Sequence, residues 1–101
     1  MHIHNVYIWL KKDLADQDLA AFEEATNKLA QDPLIKNSYF GKPADTHNDD
    51  VENSYSYGLV FQFAALADHE RYQVGKIHRQ FLEEQESKWE HIIVYDIETA
   101  T

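Results

Sequence analysis

Residues 55–63 read Tyr55-Ser56-Tyr57-Gly58-Leu59-Val60-Phe61-Gln62-Phe63. Tyr55, Tyr57, Leu59, Phe61 and Phe63 fall on one face of this stretch, and Ser56, Gly58, Val60 and Gln62 on the other. A period of two is the signature of a strand with one face turned to a core, because successive side chains leave the pleated backbone on opposite sides. This is the clearest strand in the chain, and the other elements arrange themselves around it.

Downstream, residues 66–88 are helix-like with a weak point at Gly75, and Trp89 to Ile97 supply a last strand rich in β-branched and aromatic residues. Upstream, residues 43–54 form a polar loop, preceded by a strand candidate from Leu34 to Lys42 that holds Tyr39 and Phe40 and stops at Gly41-Lys42-Pro43. Leu19, Phe22, Ala25, Thr26 and Leu29 recur at helical spacing, with Asp16 or Asp18 available as the N-terminal cap. That helix is expected to end near Gln31, because Asp32-Pro33 disfavours its continuation. Ile3 to Leu10 opens the chain as a strand. The order β-α-β-β-α-β predicts a ferredoxin-like α+β fold: a four-stranded antiparallel sheet with two helices on one face. No repeat or linker interrupts it, so residues 1–101 read as a single domain.

The strand faces carry a second message. A sheet covered by helices on one side is polar on the other when that side meets water. Here the first strand is apolar on both faces, with Val6, Ile8 and Leu10 on one and Ile3, Tyr7 and Trp9 on the other. The last strand repeats the pattern, Ile92 and Val94 against Ile93, Tyr95 and Ile97. A second burying surface is required, and the sheet of a second copy is the simplest supplier, so a homodimer is expected. The competing reading is a monomer with scattered exposed aromatics.

Composition narrows the function. A net charge of −9 argues against nucleic acid and against an anionic membrane surface, since both would repel the protein. No run of about 18 apolar residues and no basic-then-apolar leader is visible, so a soluble, cytoplasmic protein is expected. The absence of cysteine removes disulfides, thiolate metal sites and cysteine nucleophiles together. There is no phosphate-cradling glycine loop, no Gly-x-Ser-x-Gly and no dinucleotide fingerprint, and no cofactor is predicted.

The chain resembles the stress-responsive dimeric α/β-barrel (Dabb) family over residues 2–97. The carrying features are His4 within the opening strand, Gly41 ending the second and Phe63 before the second helix. The run Tyr72-Gln73-Val74-Gly75-Lys76-Ile77-His78, then Phe81, Trp89 and Asp96, completes them. The resemblance implies two protomers packed sheet against sheet into a barrel, in agreement with the two-faced strands. One branch is similar to a plant polyketide (olivetolic acid) cyclase, which implies that Tyr72 and His78 perform intramolecular aldol chemistry and that His4 stands at the rim of the cavity. The family often has His-Pro where this chain has Gly75-Lys76, so the helix break is kept while a polar group is lost. Oxygenases sharing the dimeric barrel, cofactor-free or haem-dependent, imply a further alternative.

Geometry alone sets a condition on the pair. Six residues on a straight helix turn through about 600°, leaving Tyr72 and His78 about 120° out of line. They converge only if the helix breaks between them, and Gly75 is the place for it. Imidazole suits removal of an α-proton at neutral pH, and a phenol suits donation to the developing oxyanion. The alternative is a helix-terminal histidine and an ordinary core tyrosine.

His4 shares a strand face with Val6 and Ile8, expected to be the helix-facing side, and these three with Phe22, Phe81 and Trp89 are the candidate walls of a small hydrophobic or aromatic ligand's cavity. Aromatic residues at such positions also serve simply as core. His2 and His4 point the same way and could chelate a metal, but no third ligand is identifiable and no dedicated metal site is predicted. Asp45, His47, Asp49, Asp50 and Glu52 lack the spacing of a calcium loop and read as solvated. Glu83, Glu84, Glu86 and Glu90 read as the wet face of the second helix. Two functional expectations stand: acid–base chemistry on a carbonyl compound, cyclase- or isomerase-like, or a non-enzymatic, stress-associated dimer that binds ligands or fills its own cavity.

Overall fold

In the structure, a computed structural model that describes residues 1–100, the chain runs β1 (His2–Leu10), α1 (Asp16–Leu29), β2 (Ile35–Gly41), β3 (Tyr57–Phe63), α2 (Leu66–Gln73), α3 (Lys76–Gln85), a 3₁₀ turn (Glu86–Lys88) and β4 (Trp89–Glu98). The sheet order is β2-β3-β1-β4 with every neighbouring pair antiparallel. This is the ferredoxin-like arrangement the sequence predicts. The expected second helix over 66–88 is divided in two, because the backbone at Gly75 is extended (φ −74°, ψ 159°) between α2 and α3.

The period of two in β1 and β3 positions the core. His2, His4, Val6, Ile8 and Leu10 turn one way and are buried, as are Tyr57, Leu59, Phe61 and Phe63 of β3. Register pairs His4 with Phe61 and Val6 with Leu59, so both rows lie on the same face of the sheet. Onto that face α1 brings Phe22, Thr26 and Leu29. The buried Thr26 hydroxyl donates to the Phe22 carbonyl at 2.8 Å, so no polar group is left unpaired beneath the helix there. At the start of α1 the N-cap is Ala15; Asp18 accepts the Ala15 N–H at 3.1 Å, and Asp16 is already helical. Of the two candidate caps, Asp18 alone therefore helps to close the helix start, and it does so from the first turn.

Tyr55 departs from the alternation. The strand begins at Tyr57, and Ser56 is held by Ile8 through its N–H (2.8 Å) and by the Leu10 N–H through its hydroxyl (2.9 Å). These bonds turn the chain before the ladder starts. Tyr55 consequently packs edge-on against Tyr7 and Trp9, on the opposite face from Tyr57.

That opposite face carries Ile3, Tyr7 and Trp9 from β1 and the exposed Tyr39 (61%), Tyr95 (60%) and Ile97 (52%). No helix covers it. The loop before β3 reaches its margin, where the Trp9 indole N–H donates to Ser54 Oγ at 3.0 Å. Among the described residues, no helix is long and apolar enough to cross a membrane.

Candidate active site

The break at Gly75 does what the geometry of a straight helix forbids. Gly75 serves as N-cap of α3, its N–H donating to the Tyr72 carbonyl at 3.1 Å, and the redirected α3 swings His78 back over Tyr72. Their ring centroids lie 4.8 Å apart. A Cβ at position 75 would meet the Tyr72 and Arg71 carbonyl oxygens at 3.2 and 3.3 Å, so the close approach of α3 to the end of α2 uses the missing side chain.

The His78 ring is oriented by its own backbone neighbourhood. Nδ1 lies 3.0 Å from the Gln73 carbonyl oxygen, which can only accept, so Nδ1 carries the proton and Nε2 keeps its lone pair. Burial lowers the His78 pKa, outweighing the Gln73 hydrogen bond that raises it. Burial, and next the negative charge of Asp32, push the Tyr72 phenol upward. The pair is thus a neutral imidazole and a protonated phenol, a base beside a hydrogen-bond donor.

A cavity of about 120 Å³ lies against this pair, walled by His4, Val6, Ile8, Tyr72, His78, Phe81 and Trp89 among others. Phe22 is not part of the wall. It is fully buried in the core, its ring tilted against those of Phe40, Tyr57 and Phe81. Ile92 and Val94 of β4, half-exposed at the sheet edge, border the same cavity. Two larger depressions lie elsewhere: a groove of about 290 Å³ between α1 and α3, and one of about 320 Å³ on the open sheet face beside Trp9, Tyr55 and Tyr95. Neither touches Tyr72 or His78, and neither gathers buried titratable groups. The smaller cavity is therefore the candidate site.

Behind its polar end sits a group that the linear sequence conceals. The β1–β4 register sets His4 opposite Asp96 and His2 opposite Glu98, and α2 lays His69 over both histidines at 4.3 and 4.5 Å between ring centroids. His4 Nδ1 is 2.6 Å from Asp96 Oδ1. Burial lowers the His4 pKa more than the Asp96 contact raises it, so His4 is best described as a neutral imidazole donating Nδ1–H. Burial works to raise the Asp96 carboxyl, but the His4 hydrogen bond and the neighbouring imidazoles prevail and lower it. Burial, then the charges of His4 and His2, bring His69 down to about 4. His69 escapes sequence reasoning and Asp96 enters it only through the family resemblance, because their places beside the histidines depend on the seating of α2 and on strand register. The one available signal is that both terminal strands carry period-two polar residues at their outer ends, His2 and His4 against Asp96 and Glu98.

Fold and cavity together define a ferredoxin-like domain with a small cavity on the helix side of its sheet, where a buried tyrosine meets a half-buried histidine. The chain belongs to the stress-responsive A/B barrel domain family, Dabb, which matches residues 3–99. Among solved structures it is similar to a protein from Arabidopsis thaliana (TM-score 0.82, 14% identity, covering 100% of this chain and 97% of that one). It is also similar to the hydroxynitrile lyase of Passiflora edulis (TM-score 0.81, 18% identity, 99% and 94% covered). A dimeric ferredoxin-like protein from Thermobifida fusca is a third (TM-score 0.79, 17% identity, 97% and 90% covered). At these identities the likeness establishes the fold. No curated protein matches the sequence.

Proposed function

We propose that the protein is a homodimer that performs acid–base chemistry on a small carbonyl compound held in the Tyr72–His78 cavity. The observation that carries this reading is the 4.8 Å approach of the two rings across the Gly75 break, with the His78 lone pair left free at Nε2. His78 Nε2 takes a proton from the carbon next to the carbonyl, and the Tyr72 O–H donates a hydrogen bond to the carbonyl oxygen as it becomes an enolate oxyanion. The enolate then adds to a second carbonyl of the same molecule or recovers a proton at another position. In either case the proton on His78 is returned to the product. His4, at the cavity wall, fixes the orientation of the bound molecule.

The cavity size limits the substrate. A water molecule occupies about 30 Å³ of liquid, so about 120 Å³ takes a small molecule or the reacting end of a larger one. Hydroxynitriles, named as the substrate class of the Passiflora edulis enzyme, are addition products of carbonyl compounds, and that likeness is in keeping with the reading.

Dimerisation is supported by the uncovered apolar face, where Tyr39, Tyr95 and Ile97 are each more than half exposed. A second sheet packed on it would bury these side chains and close a barrel. The Thermobifida fusca protein of the same fold is described as dimeric.

A second reading, a non-enzymatic dimer whose cavity only binds ligands or is closed by its own side chains, is favoured by the small volume. A thermal-shift screen against small ketones and aldehydes, hydroxynitriles, aromatic acids, quinols and haem separates them. A carbonyl ligand at 100 times its dissociation constant adds about 2.7 kcal/mol of stability, and that gain is lost in His78→Ala if the proposed site is used. Silence across the panel favours the packed dimer, and a response to quinol or haem alone favours oxygenase chemistry.

A further inference from the structure

The cluster behind the cavity supplies more than hydrogen bonds. One nitrogen from each of His2, His4 and His69 and one Asp96 oxygen all lie within 4.8 Å of one another. The three histidines are buried, while Asp96 is partly open to solvent and leaves a path for an ion. His2 Nε2 and His69 Nε2 are both buried without a hydrogen-bond partner. His2 Nε2 has only the Asp96 carboxylate at 3.4 Å, outside hydrogen-bond geometry, and buried ring nitrogens without a hydrogen bond are costly unless something there bonds to them.

Three properties of the space fix the kind of occupant. Imidazole nitrogens with one carboxylate oxygen form a donor set for late first-row divalent ions, Zn²⁺ foremost, and a poor one for Mg²⁺ or Ca²⁺. Four donors at tetrahedral corners with bonds of about 2.0–2.1 Å stand about 3.4 Å apart. His2 Nε2 and Asp96 Oδ1 are at 3.4 Å already, and all four ligand atoms lie within 4.8 Å of one another. The second layer is also present: His2 Nδ1 faces Glu98 Oε2 at 3.4 Å, a carboxylate that holds the ring with Nε2 turned inward. Asp96 and Glu98 together balance the charge of a dication.

We infer that His2, His4, His69 and Asp96 form a binding site for a divalent transition metal ion of the zinc class. An ion entering there replaces the hydrogen bond between His4 Nδ1 and Asp96, and a neutral His4 ligating through Nδ1 carries its proton on the other ring nitrogen instead. It ties the first residues of β1 to β4 and α2. Its position is separate from the Tyr72–His78 contact, although His4 borders both, with its ring 6.5 Å from that of Tyr72. The inference does not depend on any catalytic role.

The test is titration of the full-length, chelator-stripped protein with ZnCl₂ by calorimetry, and with CoCl₂ by visible spectroscopy. One Zn²⁺ should bind per chain, and Co²⁺ should show the intense bands of four-coordinate geometry. His69→Ala should weaken binding by about 100-fold or more, and Glu98→Gln by about 10-fold. His47→Ala, which removes an exposed loop histidine beside Asp45, should leave it unchanged. Circular dichroism checks that the variants fold, and if His69→Ala does not, Asp96→Asn takes its place. Absence of wild-type binding at about 100 µM Zn²⁺, a pale six-coordinate Co²⁺ spectrum, or affinity that survives His69→Ala or Asp96→Asn and falls in His47→Ala would each overturn the assignment.

Discussion

The rings of Tyr72 and His78 meet at 4.8 Å although six positions separate them, because the chain between them leaves the helix at Gly75 and re-enters it one residue later. On an unbroken helix the two side chains would diverge by about 120°. The break makes a site from two residues that a regular helix would keep apart, and it also frees the Gln73 carbonyl to orient His78.

The contact is sensitive to a single methyl group. Gly75→Ala keeps an allowed backbone angle but sets a Cβ 3.2 and 3.3 Å from two backbone carbonyl oxygens, which must shift by a few tenths of an ångström, and alanine is a poorer N-cap than glycine. A loss of about 1 kcal/mol is expected, which lowers the melting midpoint by about 4–8 °C in a domain of this size. Thermal unfolding measures the first effect. Weaker ligand binding in the same variant would report the displaced His78.

Side-chain chemistry and fold are separable here. His78→Ala should lower the rate on a carbonyl substrate by about 10²–10⁴, and Tyr72→Phe by about 10²–10³, with folded structure retained in both. Steady-state kinetics beside circular dichroism checks this. If His78→Ala unfolds the protein, the histidine is structural.

The pH response has a definite sign. Burial lowers the His78 pKa, so the ring stays neutral at neutral pH and loses its function only below the ordinary imidazole value of about 6.5. The unfolded chain takes up that proton first. The stability this group contributes is therefore complete above pH about 6.5 and declines as pH falls toward and through the folded pKa. A profile of kcat/KM should show an acidic limb below pH about 6.5, absent from the residual rate of His78→Ala. A limb at or above that value would contradict the assignment of the base.

The open sheet face gives a prediction independent of chemistry. Light scattering should return twice the 11.8 kDa mass of one chain at micromolar concentration. Ile97→Glu, at a position 52% exposed in the single chain, should cost little within the protomer and shift the population toward monomer.

Phe22 distinguishes core from cavity. With no exposed surface and three aromatic neighbours, Phe22→Ala should cost about 3–5 kcal/mol, a large share of the stability of a small domain. Chemical denaturation measures it. A loss below about 1 kcal/mol would mean the side chain borders empty space after all.

The strand faces are legible in the sequence because they depend on short-range spacing, whereas the Tyr72–His78 pair enters through the family resemblance and spacing adds only that the helix must break between them. Strand faces follow from a period of two, and the helix break from one glycine. Alternation alone puts Tyr55 on the face of Tyr57, but it lies on the other, since the Ser56 hydrogen bonds that turn the chain come from β1, far away in sequence. The histidine cluster was half visible in His2 and His4. Its other members join only through pairing of the first and last strands and the descent of α2 onto them, and His4 and Asp96 are 92 residues apart. Phe22 has the right spacing for a cavity wall, but helix packing against β3 seats it among core rings instead.

The most direct test of the proposed chemistry is α-proton exchange of a small ketone in D₂O, followed by proton NMR with wild-type, Tyr72→Phe and His78→Ala proteins at equal concentration. Acid–base catalysis predicts that the wild type speeds exchange and that either substitution lowers the acceleration by about 10² or more. Equal exchange with all three proteins, or none above the buffer rate, would contradict a catalytic role for the pair.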